Sequence, residues 1–310
     1  MQAYAVVGPE RGRIMQLPEP HIGVNQALVR VISNGVCASD LPAWADPHDP
    51  HPIYLGHEPV GEVVATGPGL DIPVGTMVTG RIGPSFAELA VADANDLVVV
   101  PEGVDPTYVL GEPLGCAAEA FRRTPLRLGD RVVVVGSGFM GLVMLQLLSR
   151  SPQSALLAVD PRQDARAAAL RNGADACLDP AEVPAGWLDG EGSHPFDVVV
   201  EATGTQAGLS LAAALVRPHG VITILGYHPG ERVVDLGLWN WKALDVVNGH
   251  VRDRALLRHS TENAVKMLSS GRIDPSRLVT HAFSLAGVDE AFKALRDKPD
   301  GFIKAVIVID

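Results

Sequence analysis

Cysteine is scarce in this 310-residue chain, which has only Cys37, Cys116 and Cys177. Three scattered thiols cannot build a disulfide framework, and an odd number leaves one unpaired, so a reducing compartment, the cytoplasm, is expected. Positive charge is also short: 25 Lys and Arg stand against 36 Asp and Glu, giving a formal net charge of -11, and no basic cluster is denser than Arg122-Arg123. Nucleic-acid affinity draws largely on basic patches, so no nucleic-acid partner is expected. No stretch reaches the roughly 18 apolar residues of a membrane span. The N-terminal MQAYAVVGPERGRI lacks the basic-then-apolar pattern of an export signal. Neither membrane insertion nor export is expected, and no internal repeat or low-complexity tract is visible. What is present is ample apolar material (47%) with 32 Gly and 24 Pro, the composition of a globular α/β protein with many tight turns. The length exceeds what one hydrophobic core usually serves, so two domains are expected.

From residue 1 to about 110 the chain runs through AYAVV, QALVRVIS, VGEVVATG, GTMVTGRI, FAELAVA and DLVVVPEG, punctuated by Gly and Pro. These segments show no 3.6-residue apolar period and predict a mainly antiparallel, partly barrel-like β domain. Beyond it EPLGCAAEAFRRT reads as a helix, and strand-like VVVVG, ALLAVD, FDVVVEATG and VITILGY alternate with helical segments. That alternation predicts a doubly wound parallel sheet, with unbroken Val runs buried on both faces. After about 250 an amphipathic helix, the short strand LVTHAF, the helix GVDEAFKALRD and the strand KAVIVID follow without a second fingerprint. This tail is expected to return to the first domain, giving 1-117 with 255-310 as one domain and 118-254 as the other.

Val132 to Gly141 reads VVVVGSGFMG, a strand entering G-x-G-x-x-G, and Asp160 closes the next apolar run. In that context Gly136 permits the tight turn, Gly138 lets the backbone approach a pyrophosphate, and Gly141 allows close packing of helix on sheet. Phe139 and Met140 offer backbone N–H groups to an anion at the helix N-terminus. Asp160 is expected to accept the adenosine ribose hydroxyls and to repel a 2′-phosphate, which favours NAD over NADP, whereas Arg162 and Arg166 pull the other way. Thr203-Gly204 and Gly226 end later strands, where ligands sit in open α/β sheets, or are ordinary loop residues.

Cys37 in GVCASD, His57 and Glu58 in GHEPVGE, and Glu112 in GEPLG supply thiolate, imidazole and carboxylate, the ligand types of a catalytic zinc. Taken singly, Cys37 reads equally as a buried apolar thiol, His57 as a turn residue and Glu58 as a solvated carboxylate. In order and spacing, CASD, GHEPVGEV, EPLGC, VVVVGSGFMG with Asp160, DVVVEATG and the closing GFIKAVIV resemble the zinc-dependent medium-chain dehydrogenase/reductase (alcohol dehydrogenase) superfamily, on its polyol and sorbitol dehydrogenase side.

The resemblance implies a GroES-like, β-rich catalytic domain, a Rossmann domain and a homodimer or homotetramer. It implies a zinc held by Cys37, His57, Glu58 (directly or in exchange with water) and Glu112; Cys116, one helical turn on, reads as an alternative to Glu112 or as a buried core thiol. It also makes Ser39 the hydroxyl that passes the substrate proton and Asp40 the carboxylate that orients the histidine. Two features depart from the family. The lobe with four cysteines for a structural zinc has no counterpart, so one zinc per chain is expected. Pro42 stands where the proton relay usually has a histidine, leaving His48 or His51 as substitutes or, more often for such residues, as ordinary loop histidines.

The segment AWADPHDPHPIY, with Trp44, His48, His51 and Tyr54, is expected to form one lip of the pocket, and Trp239, Trp241, Asn248 and His250 the other, although Trp239 and Trp241 read equally as packing residues at a domain or subunit contact. Such lips suit a polar, ring-sized hydroxylated substrate better than a short alkyl alcohol, and the expected partner is a small-molecule hydroxylated or keto substrate. The expected activity is hydride transfer between a secondary alcohol or ketone (a polyol, sugar, cyclitol or specialised metabolite) and NAD. The alternatives are a zinc-free reductase of an activated double bond and a non-catalytic dinucleotide sensor.

Overall fold

Val132, Val133 and Val134 are fully shielded from solvent and Val135 nearly so, as a strand covered on both faces requires. In the computed structural model, which describes residues 1–48, 52–188 and 195–309, they lie in the middle of a parallel sheet. The chain divides into two units, Met1–Gly115 with Arg252–Asp310, and Cys116–Val251.

The first unit contains β1 (Gln2–Gly8), β2 (Arg11–Gln16), β3 (Gln26–Gly35), α1 (Leu41–Ala45), β4 (Pro59–Thr66), β5 (Met77–Gly80), β6 (Leu89–Asp93) and β7 (Leu97–Val99). The helix α2 (Gly111–Arg123) begins in this unit and runs across the division. Seven strands form its larger sheet, in the order β14-β15-β3-β4-β5-β7 with β6 paired to β3, where β14 is Val279–Ser284 and β15 is Lys304–Val308. Pairing is antiparallel except between β14 and β15. The tail therefore adds strands directly to the sheet of the first hundred residues. The core is aliphatic, with Phe86, Phe292 and Trp44 packed in its midst. Burying each such side chain contributes about 2 to 3 kcal/mol.

In the second unit come β8 (Arg131–Val135), α3 (Phe139–Leu148), β9 (Ala155–Val159), α4 (Gln163–Arg171), β10 (Ala176–Leu178), β11 (Phe196–Glu201), α5 (Gln206–Leu215), β12 (Val216–Ile224), α6 (Leu236–Lys242) and β13 (Asp245–Asn248). All six strands run parallel in the order β10-β9-β8-β11-β12-β13. The order reverses beside β8, which places the switch point at the glycine turn after Val135. The sixth strand, β13, and the helix before it have no clear sequence signature. The segment LDVVN is short, and its exposed edge needs no continuous apolar run. After β13 the chain re-enters the first unit through α7 (Arg254–Ser269), β14, α8 (Val288–Asp297) and β15. No helix among the described residues is long and apolar enough to cross a membrane.

Candidate active site and metal-binding cluster

Cys37 lies two residues past the end of β3, and His57 and Glu58 lie immediately before β4. Because β3 and β4 pair with Asn34 opposite Pro59, the two chain segments are held side by side at this end of the sheet. Asn34 fixes the junction: its Oδ1 accepts the Glu58 N–H at 3.0 Å, and its Nδ2 donates to Ser85 Oγ at 2.7 Å. Gly35 leaves room for the carboxylate, since a Cβ there would lie 1.9 Å from Glu58 Oε2.

The sulfur of Cys37, a ring nitrogen of His57 and a carboxylate oxygen of Glu58 lie within 4.8 Å of one another. His57 presents Nδ1 to Asp40 Oδ1 at 3.3 Å and Nε2 to Ser39 Oγ at 3.4 Å. Ser39 Oγ also donates to Cys37 Sγ at 3.2 Å. Glu58 is almost fully enclosed, and its Oε2 faces the ammonium of Lys304 at 2.6 Å.

Burial and the Glu58 charge push the Cys37 thiol up. Burial opposes charge on His57, but Asp40 and Cys37 override it and raise the imidazole to about 12. Lys304 is pressed downward by burial, yet Glu58 and Cys37 hold it above its ordinary value, with Glu112 contributing.

These donors fit a zinc ion. Glu58 Oε1 and Asp40 Oδ2 are buried without a hydrogen-bond partner, which is costly unless something else binds them. Thiolate, imidazole and carboxylate together suit zinc, and three protein donors leave the open position of a catalytic rather than a structural site. Glu112 occupies the first turn of α2, within electrostatic reach of Lys304, but its carboxylate is not part of the three-residue group. Cys116, one turn on, is not part of it either.

In the second unit, Gly136 has φ +99, and a Cβ on Gly141 would lie 1.9 Å from Gly136 O. Gly138 caps α3, whose first residues are Phe139 and Met140. Asp160, 6% exposed, accepts Ser137 N–H through Oδ2 at 2.8 Å and Arg162 N–H through Oδ1 at 2.9 Å. Arg162 Nε stands 3.6 Å from Asp160, while Arg166 Nη1 donates to Asp160 O, Pro161 O and Asp179 Oδ2. Thr203 donates its N–H and hydroxyl to the buried Glu201, and a Cβ on Gly226 would strike Gly204 N at 2.3 Å. The turn glycine, the helix start, Asp160, Thr203 and Gly226 all follow C-terminal ends of strands of this sheet.

Several expectations fail. Trp44 forms no pocket lip: it is fully buried, stacks on Phe292 and donates Nε1 to Asp289 Oδ1 at 2.8 Å. Its neighbours in sequence made it look like a loop residue, but Leu41–Ala45 is a helical turn facing the core. Trp239 packs against the core of the second unit, whereas Trp241 is 79% exposed. His48 is largely exposed, 3.9 Å from Asp46, and the contacts of Ser39 are with Cys37 and His57. His51 lies outside the described residues. Asn34, Lys304 and the Glu201–His228 pair (2.7 Å) were not singled out from sequence. The signal for Lys304 was a lone cation opening an otherwise apolar strand.

Family models for the alcohol dehydrogenase GroES-like domain and for the zinc-binding dehydrogenase match residues 23–122 and 140–270. The chain is 28% identical to L-threonine 3-dehydrogenase of Pyrococcus abyssi, covering 91% of each, and 29% identical to sorbitol dehydrogenase of Gallus gallus, covering 95% and 94%. Its structure superposes on alcohol dehydrogenase TADH from Thermus sp. ATN1 with a TM-score of 0.87, 25% identity and full coverage of both. The chain belongs to the zinc-dependent medium-chain dehydrogenase family. It is an NAD(P)-dependent oxidoreductase of CH–OH groups, with zinc and NAD(P) as cofactors.

Proposed function

We propose that Cys37, His57 and Glu58 hold a catalytic zinc, with Glu112 in reserve as a further carboxylate, and that the protein interconverts a hydroxylated secondary alcohol and its ketone. The convergence of three zinc-type donors within 4.8 Å carries this reading. Zinc there supplies a Lewis acid that acidifies a hydroxyl or polarises a carbonyl, while the nicotinamide accepts or returns hydride.

The protein's own residues do the rest. Asp40 holds His57 through Nδ1, which leaves Nε2 as the donor nitrogen and fixes the ring. Ser39, half-buried beside Cys37 and His57, takes the substrate hydroxyl proton and passes it to solvent without a histidine relay, since Pro42 provides none. Gly136, Gly138 and the N–H groups of Phe139 and Met140 receive the pyrophosphate, Asp160 takes the ribose hydroxyls, and Thr203 and Gly226 border the cofactor. NAD is the preferred cofactor: the Asp160 carboxylate opposes a 2′-phosphate, and Arg166 is already committed to Asp160 O, Pro161 O and Asp179. The scarcity and scatter of the three cysteines support a cytoplasmic site of action, and a homodimer or homotetramer is the proposed assembly, to be read by light scattering.

The test is metal analysis after dialysis, followed by a panel of polyols, cyclitols, sorbitol and L-threonine with NAD, monitored at the absorbance of the reduced cofactor. About one zinc per chain, turnover of at least one panel member, and loss of both on chelation are expected. Full activity without tightly bound zinc would overturn the reading.

A further inference from the structure

Lys304 is a cation enclosed almost completely beside the proposed metal ligands, and the family reading gives it no task. The strand β15 brings it there: Val306 pairs with Gly35 on β3, and Val36 N–H donates to Ala305 O at 3.0 Å, so β15 runs past the end of β3 toward Cys37. The ammonium then meets Glu58 Oε2 at 2.6 Å, while Glu58 Oε1 has no hydrogen-bond partner. One oxygen of the carboxylate thus faces a fixed charge of the protein, and a Glu58 oxygen also lies within 4.8 Å of the Cys37 and His57 donor atoms.

We propose that Lys304 is a positioning residue of the metal centre, whose fixed charge retains Glu58 through one oxygen and keeps that carboxylate a displaceable, single-oxygen ligand. The proposal rests on the zinc reading of Cys37, His57 and Glu58. Two consequences follow from charge alone. Lys304 competes with a divalent ion for the Glu58 carboxylate, so it lowers the affinity of the site. It also gives Glu58 a partner whenever substrate or water takes its place, so exchange at the open position leaves no buried carboxylate unpaired.

The experiment uses the full-length protein loaded with zinc, and separately with cobalt(II), in four forms: wild type, Lys304→Met, Lys304→Arg, and Lys304→Met in a Glu58→Gln background. Zinc transfer to a chromogenic chelator and the visible cobalt spectrum are the readouts. Lys304→Met is expected to slow zinc release by about 10-fold, the scale on which groups outside a metal's own ligands act, and to alter the cobalt bands. Lys304→Arg, which keeps the charge, is expected to behave as wild type, and in the Glu58→Gln background the Met substitution should have no further effect. Wild-type rates and spectra in Lys304→Met, faster release, or an undiminished effect without Glu58 would each overturn the proposal while leaving the zinc reading in place. A wild-type protein that takes up neither metal would overturn both. If Lys304→Met does not fold, the arginine variant decides: release and spectra matching wild type support the fixed charge, and a changed spectrum opposes it.

Discussion

Replacing Asp160 separates the two things that its carboxylate does. Its oxygens accept the backbone N–H groups of Ser137 and Arg162, one on the glycine turn and one at the start of α4, in a nearly enclosed setting. Hydrogen bonds to an ionised group contribute about 1.5 to 3 kcal/mol each, so Asp160→Gly should destabilise the protein by about 3 kcal/mol once water enters. Asp160→Asn preserves the bulk but turns an amide NH₂ toward one of the same N–H donors, so it should not restore stability fully. If the carboxylate also receives the ribose hydroxyls, both variants lose about 3 kcal/mol of NADH binding, a factor of about 100 in Kd. NADPH affinity should be unchanged or improved, because the charge opposing a 2′-phosphate is gone and Arg162 retains Asp164 while losing its contact with Asp160. Cofactor fluorescence titrations at a temperature where each variant is folded measure the ratio, and thermal melts measure stability separately. A lowered melting temperature with an unchanged NADH to NADPH ratio would show that Asp160 only braces the loop.

Three other outcomes are expected. Cys37→Ser should remove zinc and activity together, checked by metal content and turnover; an active, zinc-replete variant would refute its role as ligand. Gly35→Ala places a Cβ 1.9 Å from Glu58 Oε2, so it should displace the carboxylate and weaken zinc retention against a chelator while leaving the parallel sheet of the second unit intact by hydrogen exchange. Burial opposes charge on Asp197, but Arg131 N–H and Arg217 override it and hold the carboxyl below its ordinary 3.8. A folded-state value below the unfolded one stabilises the protein above the unfolded value and ceases to do so as pH falls through the folded one. The stability gap between wild type and Asp197→Asn, about 1 kcal/mol for a partly solvated pair, should therefore be present at neutral pH and close below pH ~4 in denaturant titrations.

Residues whose meaning is local were legible in the sequence. The Val run of β8, the spacing of its glycines and the acidic end of β9 each obey constraints that act over a few residues. The same holds for the helices α2 and α7, whose apolar spacing repeats with the helical period, and for α3, an almost continuously apolar run opened by the glycine turn. Trp44 was misread because an aromatic in a Pro- and Asp-rich segment looks exposed, while its burial depends on Phe292 and Asp289, about 250 residues away in sequence. The helix α6 and edge strand β13 were missed because short, partly exposed elements carry little periodic signal.

The sequence by itself determined the two chemistries, since thiolate, imidazole and carboxylate at 37, 57 and 58, and glycines opening a helix at 136 to 141, are properties of residue type and local spacing. The tertiary structure alone decided which donors meet. Pairing of β3 with β4 joins Cys37 to His57 and Glu58, while pairing of β3 with β15 carries Lys304 from the far end of the chain to the same carboxylate. Charges separated by some 250 residues have no sequence spacing to betray them; strand register and the cost of enclosing an unpaired ion bring them together.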